Sequence, residues 1–135
     1  MKLLLDTHIL IWFHTKDTQL SEKAWKIILS LENEAYFSSA SIWETQIKHM
    51  NHPDEISFSG KELYELCLMS GLKYLNIRPE HCIELSSLSY SEQAPRPHKD
   101  PFDRIMICQA KYENMLFMTN DSLIPFYNES CVLSV

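Results

Sequence analysis

The chain has 135 residues, of which 45% are hydrophobic and 22% charged. That is the size and composition of one globular domain, which excludes a disordered tail and a pair of ordinary domains. Twelve basic residues against 18 acidic ones leave a net charge of −6, so any attraction to nucleic acid must be local.

In chain order, Lys2–Leu5 is an apolar run ending at Asp6 and reads as a buried strand with a helix directly behind it. That helix is expected to carry Ile9, Trp12 and Phe13 inward. After a turn at 15–18, Ser21 reads as the N-cap of a second helix, with Ala24, Ile27, Ile28 and Leu31 as its apolar stripe. Residues 35–38 form a second strand, and Ser38, Ser39 and Ser41 open a third helix reaching about Lys48. Residues 51–59, with Pro53, connect to a fourth helix over 61–70 that turns Leu63, Leu66 and Cys67 inward and stops at Gly71. A third strand is expected at 74–77. Pro79 starts a short helix over 81–88. A polar loop containing Pro95 and Pro97 leads to Asp100-Pro101, an N-cap and first turn for a helix reaching about Glu113. Leu116–Thr119 is a fourth strand and 131–135 a fifth. The strands read as apolar runs rather than polar–apolar alternation, and helices alternate with them. The expected fold is a single α/β domain over residues 1–135, with a central parallel sheet of four to five strands and helices on both faces.

Several function classes fall away on composition. Two isolated glycines, Gly60 and Gly71, cannot write a P-loop or a glycine-rich dinucleotide loop. Cys67, Cys82, Cys108 and Cys131 are widely spaced and form no C-x-x-C pair. Cys108 and Cys131 lie in apolar stretches and read as small buried hydrophobes. No apolar run approaches the ~18 residues of a membrane span. Asp6 interrupts the first apolar run, so no signal peptide is read there, and reduced thiols in a cytoplasm are the expectation.

In an open parallel sheet, sites form beyond the carboxyl ends of the strands. Asp6 ends the first strand, and Asp121 follows the fourth in Thr119-Asn120-Asp121. Glu44 falls in the first turns of the helix behind the second strand. Asp103 lies one turn into the helix before the fourth, beside Asp100. Carboxylates gathered together repel and raise one another's pKa, a cost that a hard divalent cation removes. Mg2+ or Mn2+ suits oxygen donors, and beside a phosphodiester it orients a water and stabilises the departing oxygen. Each acid also has a simpler use. Asp6 and Asp100 can cap helices, Asp103 can sit on the helix dipole, and Asp121 can shape a turn. Glu44 can pair with Lys48 on a solvated face. Spacing alone leaves both readings open.

Four segments together resemble the PIN-domain family, specifically the toxin ribonucleases of VapBC-type toxin–antitoxin pairs. They are Leu3-Leu4-Leu5-Asp6-Thr7-His8-Ile9-Leu10-Ile11-Trp12, Ser39-Ala40-Ser41-Ile42-Trp43-Glu44, His98-Lys99-Asp100-Pro101-Phe102-Asp103-Arg104 and Thr119-Asn120-Asp121, in the family's order. The resemblance implies a compact α/β fold and a catalytic quartet, Asp6, Glu44, Asp103 and Asp121, that binds Mg2+ or Mn2+. It also implies endoribonuclease activity on structured RNA such as tRNA or ribosomal RNA, a homodimer, and a small cognate antitoxin. Asp100 is a candidate extra acid. Thr7, His8, Thr119 and Asn120 are candidate supporting residues, and Lys48, Lys99 and Arg104 candidate RNA contacts. The stretch 51–58 departs from the pattern, since a basic or glycine-containing turn is expected there.

Other residues are assigned blander roles. Trp12 and Trp43 read as core, and His49 and His52 with Asp54 as solvated loop residues rather than a zinc site. A phosphoryl-transfer enzyme of haloacid-dehalogenase type would need a second Asp where His8 stands. A receiver module would need an acidic pair at the first strand's end and a lysine after a late strand. A PIN fold that only binds a partner is the remaining alternative to the nuclease.

Overall fold

A computed structural model describes all 135 residues. Five strands and six α-helices follow one another as β1 (Lys2–Leu5), α1 (Thr7–Thr15), α2 (Glu22–Leu29), β2 (Glu34–Ser38), α3 (Ser39–Asn51), α4 (Gly60–Met69), β3 (Lys73–Leu75), α5 (Pro79–Ile83), α6 (Pro101–Tyr112), β4 (Leu116–Thr119) and β5 (Val132–Ser134). Short 3-10 turns at Glu84–Ser87 and Ile124–Phe126 fill two connections.

The strands lie in the order β3-β2-β1-β4-β5, every neighbouring pair parallel. Side chains alternate across a strand, so Leu3 and Leu5 enter one core and Leu4 the other. On the first face Leu3 and Leu5 meet Ile9 and Leu10 of α1, Ala24 and Ile28 of α2, and Leu63 and Cys67 of α4. On the second, Leu4 and Phe117 meet Ala40 of α3 and Met106, Ile107 and Ala110 of α6. With both faces covered, β1 can be apolar at Leu3, Leu4 and Leu5 in succession, which is the pattern its sequence carries after Lys2.

The chain leaves β1 toward β2 and β3, then returns through α6 to lay β4 on β1's other side. The sheet therefore reverses direction between β1 and β4, and a crevice opens at their carboxyl ends. A receiver module has the order 2-1-3-4-5 instead. With β1 held between β2 and β4, that alternative is overturned.

Caps explain most boundaries. The Ser21 hydroxyl accepts from Ala24 N at 3.1 Å, and Ser59 with Glu62 forms a capping box at the head of α4. Gly71 follows α4 at φ +84°, a left-handed position that favours glycine, and Leu72 N then reaches Cys67 O at 3.0 Å. Gly60 permits a close approach, since a Cβ there would sit 2.9 Å from Ile42 O on α3.

Three expectations need correction. α2 ends at Leu29 because Ser30 is extended and the Asn33 amide takes Ile27 O at 2.9 Å, so Leu31 lies beyond the helix and is fully exposed. Leu66 flanks the buried stripe Gly60, Leu63 and Cys67 and stays partly exposed, at 37%, rather than fully inward. The helix expected over 81–88 is α5 followed by a 3-10 turn. No helix is long and apolar enough to cross a membrane.

Candidate functional site

The crevice at the β1/β4 switch is built around Asp6. Its backbone N–H extends the ladder to Met118 O at 3.0 Å. Its carboxylate caps α1, Oδ1 accepting from Thr7 N at 2.7 Å. Its other oxygen, Oδ2, accepts the Thr119 hydroxyl at 2.6 Å, and the same Thr119 oxygen accepts from Asp121 N at 3.0 Å. One threonine at the end of β4 thus fixes two acids from opposite ends of the chain. Asp121 Oδ1 accepts from Leu123 N at 2.7 Å and Ile124 N at 3.3 Å, an Asx turn that holds its carboxylate at the strand end.

Glu44 arrives from α3 and is only 3% exposed. Lys48, one turn on, donates to Oε2 at 2.7 Å, whereas Oε1 is buried with no partner. The pair expected on a solvated face is therefore half inside the protein. Asp103 arrives from the first turn of α6. Its Oδ2 meets His98 Nε2 at 3.1 Å, and the other ring nitrogen, Nδ1, meets the Tyr127 hydroxyl at 2.8 Å. Asp100 caps α6, its Oδ1 accepting from Phe102 N at 2.9 Å and Asp103 N at 3.2 Å.

Electrostatics register the convergence. Burial, then the charges of Asp6, Asp100, Glu44 and Asp121, push the Asp103 carboxyl up to about 9. Burial lifts Asp6 to about 6, against the pull of Thr119, His8 and Thr7, with Glu44 adding repulsion. Burial works against the Lys48 charge, but Glu44, Asp100 and Asp103 hold its pKa above the usual lysine range. Burial also lowers His98, in spite of Asp121 and Asp100. Donor atoms of His98, Asp103 and Asp121 all lie within 4.8 Å of one another. Oxygen donors, mutual repulsion and an orphaned Glu44 oxygen are what a hard divalent cation would satisfy.

Asp6, Glu44, Asp121 and Asp100 all lie near enough to act on Asp103 by charge, while the tight group of donor atoms holds Asp103 and Asp121 with His98. His8, Trp12 and Asn120 join Asp6 and Asp121 around a hollow of about 220 Å3. His8 and Trp12 face each other at 5.8 Å. Thr7 supports by another route, its hydroxyl meeting Ser41 at 2.9 Å and tying α1 to α3. The Asn120 amide is spent on Val135 O at 3.0 Å. Trp43 is not core: it is 62% exposed and packs edge-on against Phe102 at 5.1 Å. Trp12 is partly buried. Of the basic candidates, Lys99 is exposed, Lys48 is engaged by Glu44, and Arg104 is partly buried with no partner for Nε. His49 braces the divergent 51–58 stretch through Nδ1 on Ile56 O at 2.8 Å. A larger hollow, about 390 Å3, lies at the amino ends of β1 and β4 beside Lys2 and Lys111, where the one lining acid, Glu129, is paired with Lys111. His98 is the residue sequence reasoning passed over. It stands inside the Asp100–Asp103 segment, but its importance depends on Tyr127, far along the chain.

A family model described as PIN domain matches residues 3–126. Among solved structures, the chain is similar to VapBC2 from Rickettsia felis bound to a DNA fragment from their promoter, at 14% identity and TM-score 0.71, covering 100% of this chain and 99% of that one. It is similar to a toxin–antitoxin complex from Klebsiella pneumoniae, at 15% identity and TM-score 0.62, covering 98% and 96%. It also matches VapBC-1 from nontypeable Haemophilus influenzae, at 15% identity and TM-score 0.56, covering 90% and 87%. No curated protein matches the chain.

Proposed function

The chain belongs to the PIN-domain family, and from that premise we propose that it is a metal-dependent endoribonuclease, the toxin of a toxin–antitoxin pair, acting on RNA such as tRNA or ribosomal RNA. The observation that carries this reading is the crowding at Asp103, whose carboxyl feels Asp6, Asp100, Glu44 and Asp121 at once. A chain with no other use for that repulsion would relieve it by substitution; a cation would turn it into affinity. Mg2+ or Mn2+, when bound, supplies charge that draws a phosphodiester toward an anionic hollow and acidifies the attacking water.

The residues divide the work as their contacts suggest. Asp6, Asp103, Asp121 and Glu44 are assigned as the catalytic, cation-holding acids. Thr119 keeps Asp6 and Asp121 in register. Lys48 fixes one oxygen of Glu44 and leaves the other free to act. Lys99, exposed beside the Asp100 cap, is assigned to an RNA phosphate.

Partners follow from the relatives, whose solved structures are of VapBC proteins or a toxin–antitoxin complex. A cognate antitoxin is proposed on that likeness, and a homodimer on the resemblance to the family. The four cysteines are free, which suits the reducing cytoplasm proposed for the protein.

Purified protein incubated with tRNA, ribosomal RNA and total RNA should cleave in Mg2+ or Mn2+ and stop in EDTA. Asp6→Asn and Asp103→Asn should each abolish cleavage, with circular dichroism unchanged. Undiminished cleavage by both folded variants overturns the assignment. Antitoxin binding without cleavage of any RNA favours the binding module instead.

A further inference from the structure

His98 is nowhere needed by an all-carboxylate site, yet it is placed as a ligand would be. Its Nε2 stands 3.1 Å from Asp103 Oδ2. Neighbouring donors on a six-coordinate ion with bonds of ~2.1 Å lie about 3 Å apart, and opposite donors about 4 Å apart. The His98, Asp103 and Asp121 donors, all within 4.8 Å of one another, need only a small inward shift to form such a shell. A second observation points the same way: Glu44 is 3% exposed and its Oε1 has no partner, while its charge acts on Asp103.

The Tyr127 contacts favour one nitrogen as the available one. A phenol has one proton. The Tyr127 hydroxyl lies 2.8 Å from His98 Nδ1 and 3.4 Å from the His98 carbonyl, so with its proton on the carbonyl it accepts Nδ1–H. That tautomer leaves a lone pair on Nε2, directed at Asp103. Metal-bound imidazoles usually donate their other N–H to a fixed oxygen in this manner. His8, the other histidine near the acids, is exposed and has no such brace.

Resting on the nuclease reading above, we propose that His98 Nε2 is a ligand of the divalent ion, joining Asp103 and Asp121, and that this nitrogen makes the site prefer Mn2+ over Mg2+. Mg2+ holds to oxygen donors, whereas a transition ion gains from an imidazole at the same carboxylates. The competing tautomer, with hydrogen on Nε2, would leave His98 a positioning residue for Asp103 alone.

The test reads the metal rather than RNA. Pulsed EPR of Mn2+ bound to the full chain should show a nitrogen coupling that changes on 15N-histidine labelling. The coupling should vanish in His98→Gln and persist in His8→Gln. Calorimetry should give an Mn2+ affinity at least tenfold weaker in His98→Gln, with Mg2+ affinity falling far less, so that the preference collapses. Tyr127→Phe, which keeps the ring and loses the hydroxyl that meets both Nδ1 and the His98 carbonyl, should retain the coupling and weaken Mn2+ binding about tenfold. Bound Mn2+ with no histidine coupling overturns the inference and leaves the nuclease reading standing. So does an equal loss of both ions in His98→Gln. A coupling from His98 in a protein that cleaves no RNA sustains the inference and sinks the nuclease. Failure to bind Mn2+ at all removes both.

Discussion

Glu44 and Lys48 form a 2.7 Å pair whose ends occupy different media: the lysine side chain is 41% exposed, the glutamate 4%. Surface pairs at this spacing contribute little. Here the ammonium matters because removing it strands a buried carboxylate that already repels Asp6 and Asp103. Lys48→Ala should therefore destabilise the metal-free protein by about 1–3 kcal/mol, and less once Mn2+ supplies the missing charge. Urea unfolding in EDTA and in Mn2+ measures both. An identical loss in the two conditions would mean that Lys48 contributes only packing. The spacing of the two residues made the pair legible in the sequence, and the strand-end positions of Asp6 and Asp121 were legible too. Burial of Glu44 was not, because it depends on α3 turning that face toward β1 and α6. His98 was hidden for the same reason, its brace being supplied by Tyr127.

The helix with the clearest signature is α6, and its cap also feeds the site. Asp100-Pro101 reads directly as N-cap and first turn, and Asp100 accepts both Phe102 N and Asp103 N. The same carboxylate repels Asp103. Structure and charge can be separated by substitution. Asp100→Asn keeps a good cap and should cost little stability, whereas Asp100→Ala should cost about 1 kcal/mol. Both should draw the Asp103 pKa down toward the usual carboxylate range. Thermal unfolding and a carboxyl NMR titration of Asp103 check the two halves independently; an unmoved Asp103 in both variants would show that Asp100 does not contribute to raising it. Local chemistry of this kind was readable at most element starts, where Ser21 and Asp100 announce themselves. Ends were harder. The close of α2 depends on the Asn33 amide reaching back to Ile27 O, and without that contact Leu31 continues the stripe on paper.

Alternating apolar runs and helices indicated a parallel sheet covered on both faces, but not the order of its strands. That order depends on the crossover through α6 from the β3 side to the β4 side, which no local signal encodes. Yet the order is what brings Asp6 and Asp121 to one crevice, and the whole molecule carries the electrostatic consequence. The folded chain holds Asp6 at about 6 and Asp103 at about 9, against 3.8 for each in an ordinary setting. Between these limits the metal-free fold binds more protons than the unfolded chain, so its stability must fall as pH rises. The stabilising protonation is complete below 3.8, and is lost through 6 for Asp6 and through 9 for Asp103. His14 and His98, both lowered from 6.5 by burial, oppose this as pH climbs past their folded values. Above pH 7 those histidines are mostly neutral in either state, and Asp103 dominates. The buried thiols of Cys67 and Cys108, raised to about 12 and about 11, add a loss near pH 9 and above that any site variant shares. Metal-free protein should thus lose about 2 kcal/mol between pH 7 and 9 relative to Asp103→Asn, which cannot ionise there. Saturating Mn2+ should flatten the slope, because the cation favours the ionised acids and its own binding releases their protons. Chemical denaturation at several pH values, with EDTA and with Mn2+, measures this directly. Parallel curves for wild type and Asp103→Asn would mean that Asp103 ionises normally in the fold, and that its neighbours stand too far away to share an ion.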